Sequence, residues 1–180
     1  IIINAEVKET HKEEQKKQVT KVYRNIALFG VDARDGELGR GTRSDSIIIA
    51  SINQDTQEIK LVSVFRDTYL NLSNDSYNKC NTAYAQGGPE QAISMLNMNL
   101  DLDITDYVTV GFGGLIDSVD ALGGIEVEVT EAEISHLNNY QLTMSEELGV
   151  DYIPVKESGK QLLNGMQATA YCRIRYTKGD

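Results

Sequence analysis

The chain has 180 residues, a hydrophobic fraction of 41% and a formal net charge of −10. This length is sufficient for one domain with a full core, and the acidic balance argues against nucleic acid as a partner, because nucleic-acid binding rewards a broad basic surface. No stretch reaches the roughly 20 apolar residues that a membrane-spanning helix requires.

The first 24 residues differ in charge from the rest of the chain. They carry six Lys or Arg and four Glu, a net charge of +2, whereas the remainder carries −12. Residues 8–21 have a helical composition with almost no apolar stripe, which predicts an exposed helix or tether. A basic segment before an acidic body fits a position near an anionic membrane surface, and a solvated charged helix explains it equally well. We expect a juxtamembrane tether over 1–24 and a globular domain over 25–180.

Three segments rich in Ile, Val and Leu then predict strands over 25–31, 45–53 and 58–65. A short polar turn joins the second and third, which predicts an antiparallel hairpin. If this turn centres on Asp55–Thr56, the numbers of paired residues sum to 111.

This register places two charged residues opposite each other. Asp45 would face Arg66 across the hairpin, and Asp32 closes the first strand, just before the loop that leads back to Asp45. The three residues would therefore gather at one edge of the sheet. A slip of one residue would turn these side chains to the other face.

The remaining chain alternates between helical and strand-like patterns. The predicted elements are helices over 78–86 and 89–99, a strand over 106–112, a helix over 114–122, a strand over 125–129, a partly exposed helix over 131–148, a short helix over 162–171 and a strand over 171–176. Strands and helices interleave, which predicts an α/β fold: a three-layer α-β-α domain with a central mixed β-sheet flanked by helices.

The arginines are concentrated in three places, although the chain is acidic. Six of the seven fall within residues 34–43, at position 66 and within residues 173–175. The guanidinium group suits phosphate oxygens, so this clustering indicates an anionic ligand. Asp32 and Asp45 bracket the first cluster and are candidate ligands of a divalent metal.

The last two arginines are separated by a single residue. On a strand, Arg173 and Arg175 would project from one face while Ile174 points to the buried side. A pair of surface salt bridges explains this pair as well as an anionic ligand does.

The two cysteines allow three interpretations. Cys80 and Cys172 could be buried free thiols, a disulfide or a reactive thiol, and an extracellular location would favour the disulfide. Neither His11 nor His136 has an evident sequence relation to them, which argues against a catalytic cysteine.

Six blocks of sequence, in this order, resemble the extracellular catalytic domain of the LytR–CpsA–Psr family. They are NIALFGVDAR (25–34), RSDSIIIASIN (43–53), IKLVSVFRDTYL (59–70), NKCNTAYAQGGPE (78–90), VDALGGIEVEV (119–129) and LNGMQATAYCRIR (163–175). The resemblance extends over residues 25–175.

The resemblance implies an enzyme at the outer, extracellular face of the cytoplasmic membrane, mainly in Gram-positive bacteria. It would be a Mg²⁺-dependent phosphotransferase, with Mn²⁺ as a substitute, that moves a teichoic acid or capsular-type glycopolymer from polyprenyl pyrophosphate to peptidoglycan. A single-pass N-terminal anchor outside these 180 residues is expected. The same site with water as acceptor would be a polyprenyl-pyrophosphate phosphatase, and a non-catalytic module that binds lipid-linked glycan is a third possibility.

The resemblance also assigns roles to single residues. The metal ligands would be Asp32 and Asp45. The pyrophosphate-binding residues would be Arg34, Arg43, Arg66, Lys79, Arg173 and Arg175. Catalytic roles would fall to Arg43, Arg66 and Asp67. A polyprenyl tail would also need an apolar slot, which the helices over 89–122 and the adjacent sheet face could build, although each candidate residue could equally be part of the core: Leu96, Met98, Val110, Phe112, Leu115 and Val119.

Three features depart from the family pattern. Cys80 and Cys172 stand where aliphatic or small residues are common. Phe65 stands where a proline usually precedes the Arg-Asp pair. The block that follows the last arginines in the family, which contains arginine and glutamine, is absent, so we expect the domain to be truncated at its C-terminus.

Overall fold

The computed structural model describes residues 22–33 and 38–175, which form eight strands and four helices. In chain order these are β1 (Tyr23–Val31), β2 (Ser44–Asn53), β3 (Ile59–Ser63), β4 (Tyr69–Asn71), β5 (Tyr77–Lys79), α1 (Asn81–Leu100), β6 (Asp106–Val110), α2 (Phe112–Ala121), β7 (Ile125–Val129), α3 (Glu131–Leu148), β8 (Gly159–Leu163) and α4 (Gly165–Tyr171). Residues 1–21 of the predicted tether lie outside the described residues.

The central sheet is mixed and has the strand order β3-β2-β1-β6. β1 pairs antiparallel with β2 and parallel with β6, and β2 pairs antiparallel with β3. Two further ladders, β4-β5 and β7-β8, lie outside this sheet. The predicted α/β class, with a mixed central sheet flanked by helices, is confirmed.

The β2-β3 hairpin has the predicted register. Ile48 pairs with Ser63 and Ile52 pairs with Ile59, so the numbers of paired residues sum to 111. The ladder ends at Ser63, but the chain continues in the same direction beside β2. Arg66 therefore lies opposite Asp45.

The first hydrophobic core lies between the central sheet and α1. Alternate residues of β1 and β2 point into it, as the two-residue period of a strand requires. Its buried members include Ala27, Phe29, Val31, Ile47, Ile49, Tyr84, Met95 and Leu96. The rings of Phe29 and Tyr84 meet edge to face with centroids 5.2 Å apart, a geometry that aromatic pairs prefer.

A kink divides α1 where two helices were predicted. Gly88 has φ +73°, a left-handed conformation that glycine adopts without steric penalty, and Pro89 follows it. The predicted break is therefore real, but the two segments continue as one bent helix. No described helix combines the length and the apolar character needed to cross a bilayer.

The second core joins the β7-β8 ladder to α3 and α4. It contains Val129, Leu137, Val155, Leu163, Ala168 and Ile174. Capping boxes start both helices, formed by Thr130 with Glu133 and by Asn164 with Gln167. The start of α4 lies directly against the backbone of α2, because a Cβ at Gly165 would be only 2.2 Å from the carbonyl oxygen of Ile116.

The strand predicted over 171–176 is wrong for the residues that are described. The chain leaves α4 through a turn in which the Arg173 N–H donates to Ala170 O and the Ile174 N–H to Tyr171 O, each at 3.1 Å. These local bonds occupy the donors that a strand would offer to a neighbour. Lys79 also differs from expectation, since it ends β5 and does not lie in a helix.

Candidate anion-binding site

A cavity of about 380 Å³ opens at one edge of the central sheet. The parallel strands β1 and β6 both end there, β2 begins there, and α2, α3 and the end of α4 complete the wall. Ligands of α/β proteins commonly bind at the carboxyl ends of parallel strands.

The N-terminus of α2 also borders this cavity, through Gly111 and Phe112. A Cβ at Gly111 would lie 2.9 Å from the carbonyl oxygen of Ala33, so a glycine allows the two segments to approach. The first turn of α2 has no acidic residue, and the unpaired N–H groups of a helix start favour anions.

Two carboxylates lie on the wall of the cavity. Asp32 directly follows β1, and Asp45 lies near the start of β2, where the register between the strands shifts after Gly30. Among the described residues no three or more His, Cys, Asp or Glu side chains gather to hold a metal. Mg²⁺ in phosphate sites is typically held by one or two carboxylates together with substrate oxygens. Asp32 and Asp45 fit a metal of that kind and do not form a closed cage.

A chain of ion pairs extends from Asp45 beyond the cavity. Arg66 Nη1 donates to Asp45 Oδ1 at 2.7 Å, Arg66 Nε lies 3.9 Å from Asp67 Oδ2, and Lys79 Nζ lies 2.6 Å from Asp67 Oδ1. The hydrogen bond and the charge of Asp45 raise the pKa of Arg66. The hydrogen bond from Lys79 is the main cause that lowers the pKa of Asp67, which makes this carboxylate a weak proton acceptor.

Hydrogen bonds from the β5-α1 junction hold the backbone around Arg66 in place. Cys80 N–H donates to Thr68 O at 2.8 Å, and Asn81 N–H donates to Arg66 O at 3.2 Å. The Cys80 thiol, which is fully buried, lies 3.2 Å from Phe65 O and 3.3 Å from Arg66 O. Burial raises the pKa of this thiol.

The possible disulfide between Cys80 and Cys172 is not formed. Both are free thiols, Cys80 buried under the Arg66 segment and Cys172 exposed at the cavity. Of the alternatives left open by the sequence, a buried free thiol describes Cys80.

Arg173 borders the cavity, and its guanidinium group contacts two aromatic rings. Its Cζ atom lies 4.9 Å from the ring centroid of Phe112 and 5.2 Å from that of Tyr140, which are cation-π distances. Its Nη1 atom is buried and has no hydrogen-bond partner among the described residues. Buried donors are rarely left unpaired, so this nitrogen is available to an acceptor atom of a bound ligand.

Arg175 borders the same cavity but is held differently. Its Nη1 atom donates to Cys172 O at 3.0 Å and to Ile174 O at 2.7 Å. The expectation that Arg173 and Arg175 share one face of a strand is therefore wrong, because a turn brings them to the cavity. Ile174 is buried in the second core, as predicted.

The other predicted site residues lie at different distances from this cavity. Arg43 immediately precedes β2, is exposed and does not line the cavity. Arg34 lies outside the described residues. Arg66, Asp67 and Lys79 do not line the cavity. Arg66 is linked to the cavity wall by its ion pair with Asp45, and Asp67 and Lys79 follow in the same chain of ion pairs.

The predicted apolar slot is divided among four places. Val110, Phe112 and Leu115 line the cavity. Leu96 is in the first core, Met98 is exposed, and Val119 packs on the second core.

Beyond the residues predicted for the site, the cavity wall contains Gly30, Val31, Ser46, Gly111, Tyr140 of α3 and Thr169 of α4. Thr169, Cys172 and Arg173 follow the three- and four-residue spacing of one helical face. That signal is present in the sequence, but a strand assignment for 171–176 conceals it.

The sequence model of the LytR_cpsA_psr family matches residues 2–180. The chain is 31% identical over 180 residues to the polyisoprenyl-teichoic acid–peptidoglycan teichoic acid transferase TagU of Oceanobacillus iheyensis, covering 93% of the chain and 50% of that protein. The chain thus spans about half the length of the curated relatives it matches.

Solved structures with similar folds carry ligands. The LytR-CPS2A-psr family protein YwtF (TagT) with bound octaprenyl pyrophosphate lipid is 26% identical, with a TM-score of 0.65, covering 86% of the chain and 58% of that protein. TagT bound to LIIa-WTA matches with the same identity and TM-score, covering 86% and 55%.

Proposed function

Because the chain belongs to the LytR_cpsA_psr family, we propose that it transfers a teichoic acid or related glycopolymer from polyprenyl pyrophosphate to peptidoglycan. One observation carries this proposal: Asp32, Asp45, Arg173 and Arg175 border a single cavity in which a buried guanidinium nitrogen has no partner among the described residues. The names of the relative from Oceanobacillus iheyensis and of the lipid-bound structure support the same chemistry.

The phosphates would be bound by the cationic side of the cavity. Arg173 Nη1 would donate to a phosphate oxygen, and the N-terminus of α2 would add backbone donors. Asp32 and Asp45 would hold Mg²⁺, or Mn²⁺, together with phosphate oxygens. When bound, such a metal would neutralise charge on the pyrophosphate and on the leaving polyprenyl phosphate.

The reaction would be a displacement at phosphorus. A peptidoglycan hydroxyl oxygen bonds to the phosphorus nearer the glycopolymer, the bond from that phosphorus to the bridging oxygen breaks, polyprenyl phosphate leaves, and the hydroxyl proton passes to solvent water. Asp67 has a lowered pKa, which makes this carboxylate a weak base. The residues would act mainly by positioning and by stabilising charge.

The apolar side of the cavity would receive the start of the polyprenyl chain. Val110, Phe112 and Leu115 provide this surface next to the charged groups. A lipid carrier and a peptidoglycan acceptor together place the activity at the extracellular face of the cytoplasmic membrane, where an N-terminal anchor would hold the protein.

A transfer assay tests the proposal. The chain is incubated with a polyprenyl-pyrophosphate-linked teichoic acid precursor, peptidoglycan oligomers and Mg²⁺, and we expect labelled polymer on the oligomers. Release of the polymer without attachment would make the protein a phosphatase instead, and binding without turnover would make it a lipid-linked-glycan binding module.

Two variants locate the activity within the molecule. Asp45→Asn removes a carboxylate of the cavity wall and should lower transfer by at least about 100-fold. Asp55→Asn removes an exposed carboxylate from the β2-β3 turn, at the other end of β2, and should leave the rate unchanged. Equal transfer rates for the two variants would contradict the assignment of the activity to this cavity.

A further inference from the structure

Two buried polar groups without partners border the same cavity. The described residues contain four buried side-chain N or O atoms that lack a hydrogen-bond partner: Ser44 Oγ, Gln141 Oε1, Thr169 Oγ1 and Arg173 Nη1. Of their residues, Thr169 and Arg173 line the cavity. Thr169 is only 1% exposed, so solvent has little access to its hydroxyl.

Thr169 and Arg173 lie on one side of a continuous helical turn. Cys172 N–H donates to Ala168 O at 3.1 Å and Arg173 N–H donates to Ala170 O at 3.1 Å, so the helical path continues past the end of α4. Residues four apart on such a path are neighbours on one face. The hydroxyl and the guanidinium group therefore reach the cavity from the same side.

No described residue makes a hydrogen bond with the Thr169 hydroxyl. Its neighbours along α4, Met166, Ala168 and Ala170, are buried and apolar. A buried hydroxyl that makes no hydrogen bond is destabilising, and valine would fill the same volume without that penalty. A threonine here is explained if its partner enters with the ligand.

We propose that Thr169 Oγ1 donates a hydrogen bond to a phosphate oxygen of the bound pyrophosphate, next to the oxygen bound by Arg173. This inference rests on the proposed function and adds a substrate-binding residue to it. Cation-π contacts with Phe112 and Tyr140 position the guanidinium group, and α4 positions the hydroxyl, so both donors are in place before the ligand binds. Preorganised donors strengthen anion binding because little ordering remains to be done on association.

Binding of three probes, with farnesol supplied in a detergent that is present in every titration, tests the inference by calorimetry. Farnesyl pyrophosphate represents the lipid-linked headgroup, inorganic pyrophosphate represents a free anion, and farnesol represents the uncharged lipid. Thr169→Val should weaken the binding of farnesyl pyrophosphate about tenfold or more. Thr169→Ser keeps the hydroxyl, so its affinity should stay within about threefold of that of the wild type. Farnesol binding should not change.

The control variant is Thr143→Val. This threonine lies on α3, where its hydroxyl donates to Asn139 O at 3.1 Å and does not border the cavity. Thr143→Val makes the same chemical change within a helix, and this variant should bind farnesyl pyrophosphate as the wild type does.

Thermal unfolding of the ligand-free protein gives an independent readout. Thr169→Val removes an unpaired buried hydroxyl, so its melting temperature should equal that of the wild type or exceed it by about 2–4 °C. Weaker ligand binding together with undiminished stability is a combination that a purely structural role would not produce.

Several results would overturn the inference. Equal affinities of Thr169→Val and the wild type would show that the hydroxyl does not contact the ligand, and parallel losses for farnesol would indicate a packing role. A lower melting temperature would reveal a partner within the protein. Tighter binding of inorganic than of farnesyl pyrophosphate would refute the lipid-linked ligand, and a wild type that binds neither would refute the proposed function itself.

Discussion

The contact between α4 and α2 makes the position of the cavity wall sensitive to one methyl group. A Cβ at Gly165 would lie 2.2 Å from Ile116 O, 2.7 Å from Ile116 C and 2.8 Å from Ile116 Cα. All three are backbone atoms, which no side-chain rotation can move away. Gly165→Ala therefore requires α4 to move from α2 by about 1 Å, because real contacts of this kind rarely fall below 3 Å.

This movement should affect both stability and binding. Overpacking typically costs about 1–3 kcal/mol, and the hydrogen bond of 2.7 Å from Gly165 N to Asp120 Oδ1 would be stretched at a further cost of about 1 kcal/mol. We expect a loss of about 2–4 kcal/mol in the free energy of unfolding. Because α4 carries Thr169 and leads into Arg173, a displacement of about 1 Å should also weaken pyrophosphate binding, by up to about 100-fold.

Urea denaturation with calorimetry of farnesyl pyrophosphate binding measures both effects. Gly113→Ala is the matched control, since Gly113 lies within α2 and a Cβ there would meet nothing within 4 Å. Alanine favours the helix, so this control should be neutral or more stable by up to about 1 kcal/mol. The reasoning would be refuted if Gly165→Ala proved as stable as Gly113→Ala.

Two further predictions concern charges and thiols near the site. Lys79→Met should raise the pKa of the Asp67 carboxyl toward its ordinary value, measured by NMR titration, and an unchanged pKa would disprove the ion pair. Since folding lowers this pKa, any stability that the pair contributes is present at neutral pH and is lost as the pH falls through the lowered pKa. Titration of the native protein with a thiol reagent should detect one fast thiol, Cys172, and a second, Cys80, only after unfolding. The absence of reactive thiols after unfolding without reductant would instead indicate a disulfide.

Much of the central sheet follows from local pattern. The polar turn centred on Asp55–Thr56 is sufficient to give the β2-β3 register, in which the numbers of paired residues sum to 111. That register in turn predicts the contact between Asp45 and Arg66, which the structure shows at 2.7 Å.

The remainder of the site depends on packing that a sequence does not display. The segment after α4 alternates apolar and polar residues over only a few positions, which suits a strand as well as a helical turn. The packing of Gly165 on α2 and the capping box at Asn164 favour the helix.

Strands of three residues carry almost no periodic signal, so β4 and β5 were not predicted. The pairing of these strands determines where Lys79 lies. The ion pair between Lys79 and Asp67 therefore could not be anticipated from the sequence. Tyr140 reaches the cavity from a largely polar helix, which only the tertiary structure reveals.

The central claim is that this cavity binds the pyrophosphate of a lipid carrier, and the affinity of two charge-matched variants for farnesyl pyrophosphate tests it most directly. Arg173→Met removes the cation with the unpaired nitrogen, whereas Lys160→Met removes a cation of β8 that pairs with Glu126 and does not line the cavity. Both variants change the net charge equally, so long-range attraction is held constant. The account predicts that Arg173→Met binds at least about tenfold more weakly than Lys160→Met, which stays near the wild type. Equal affinities for the two variants would contradict it.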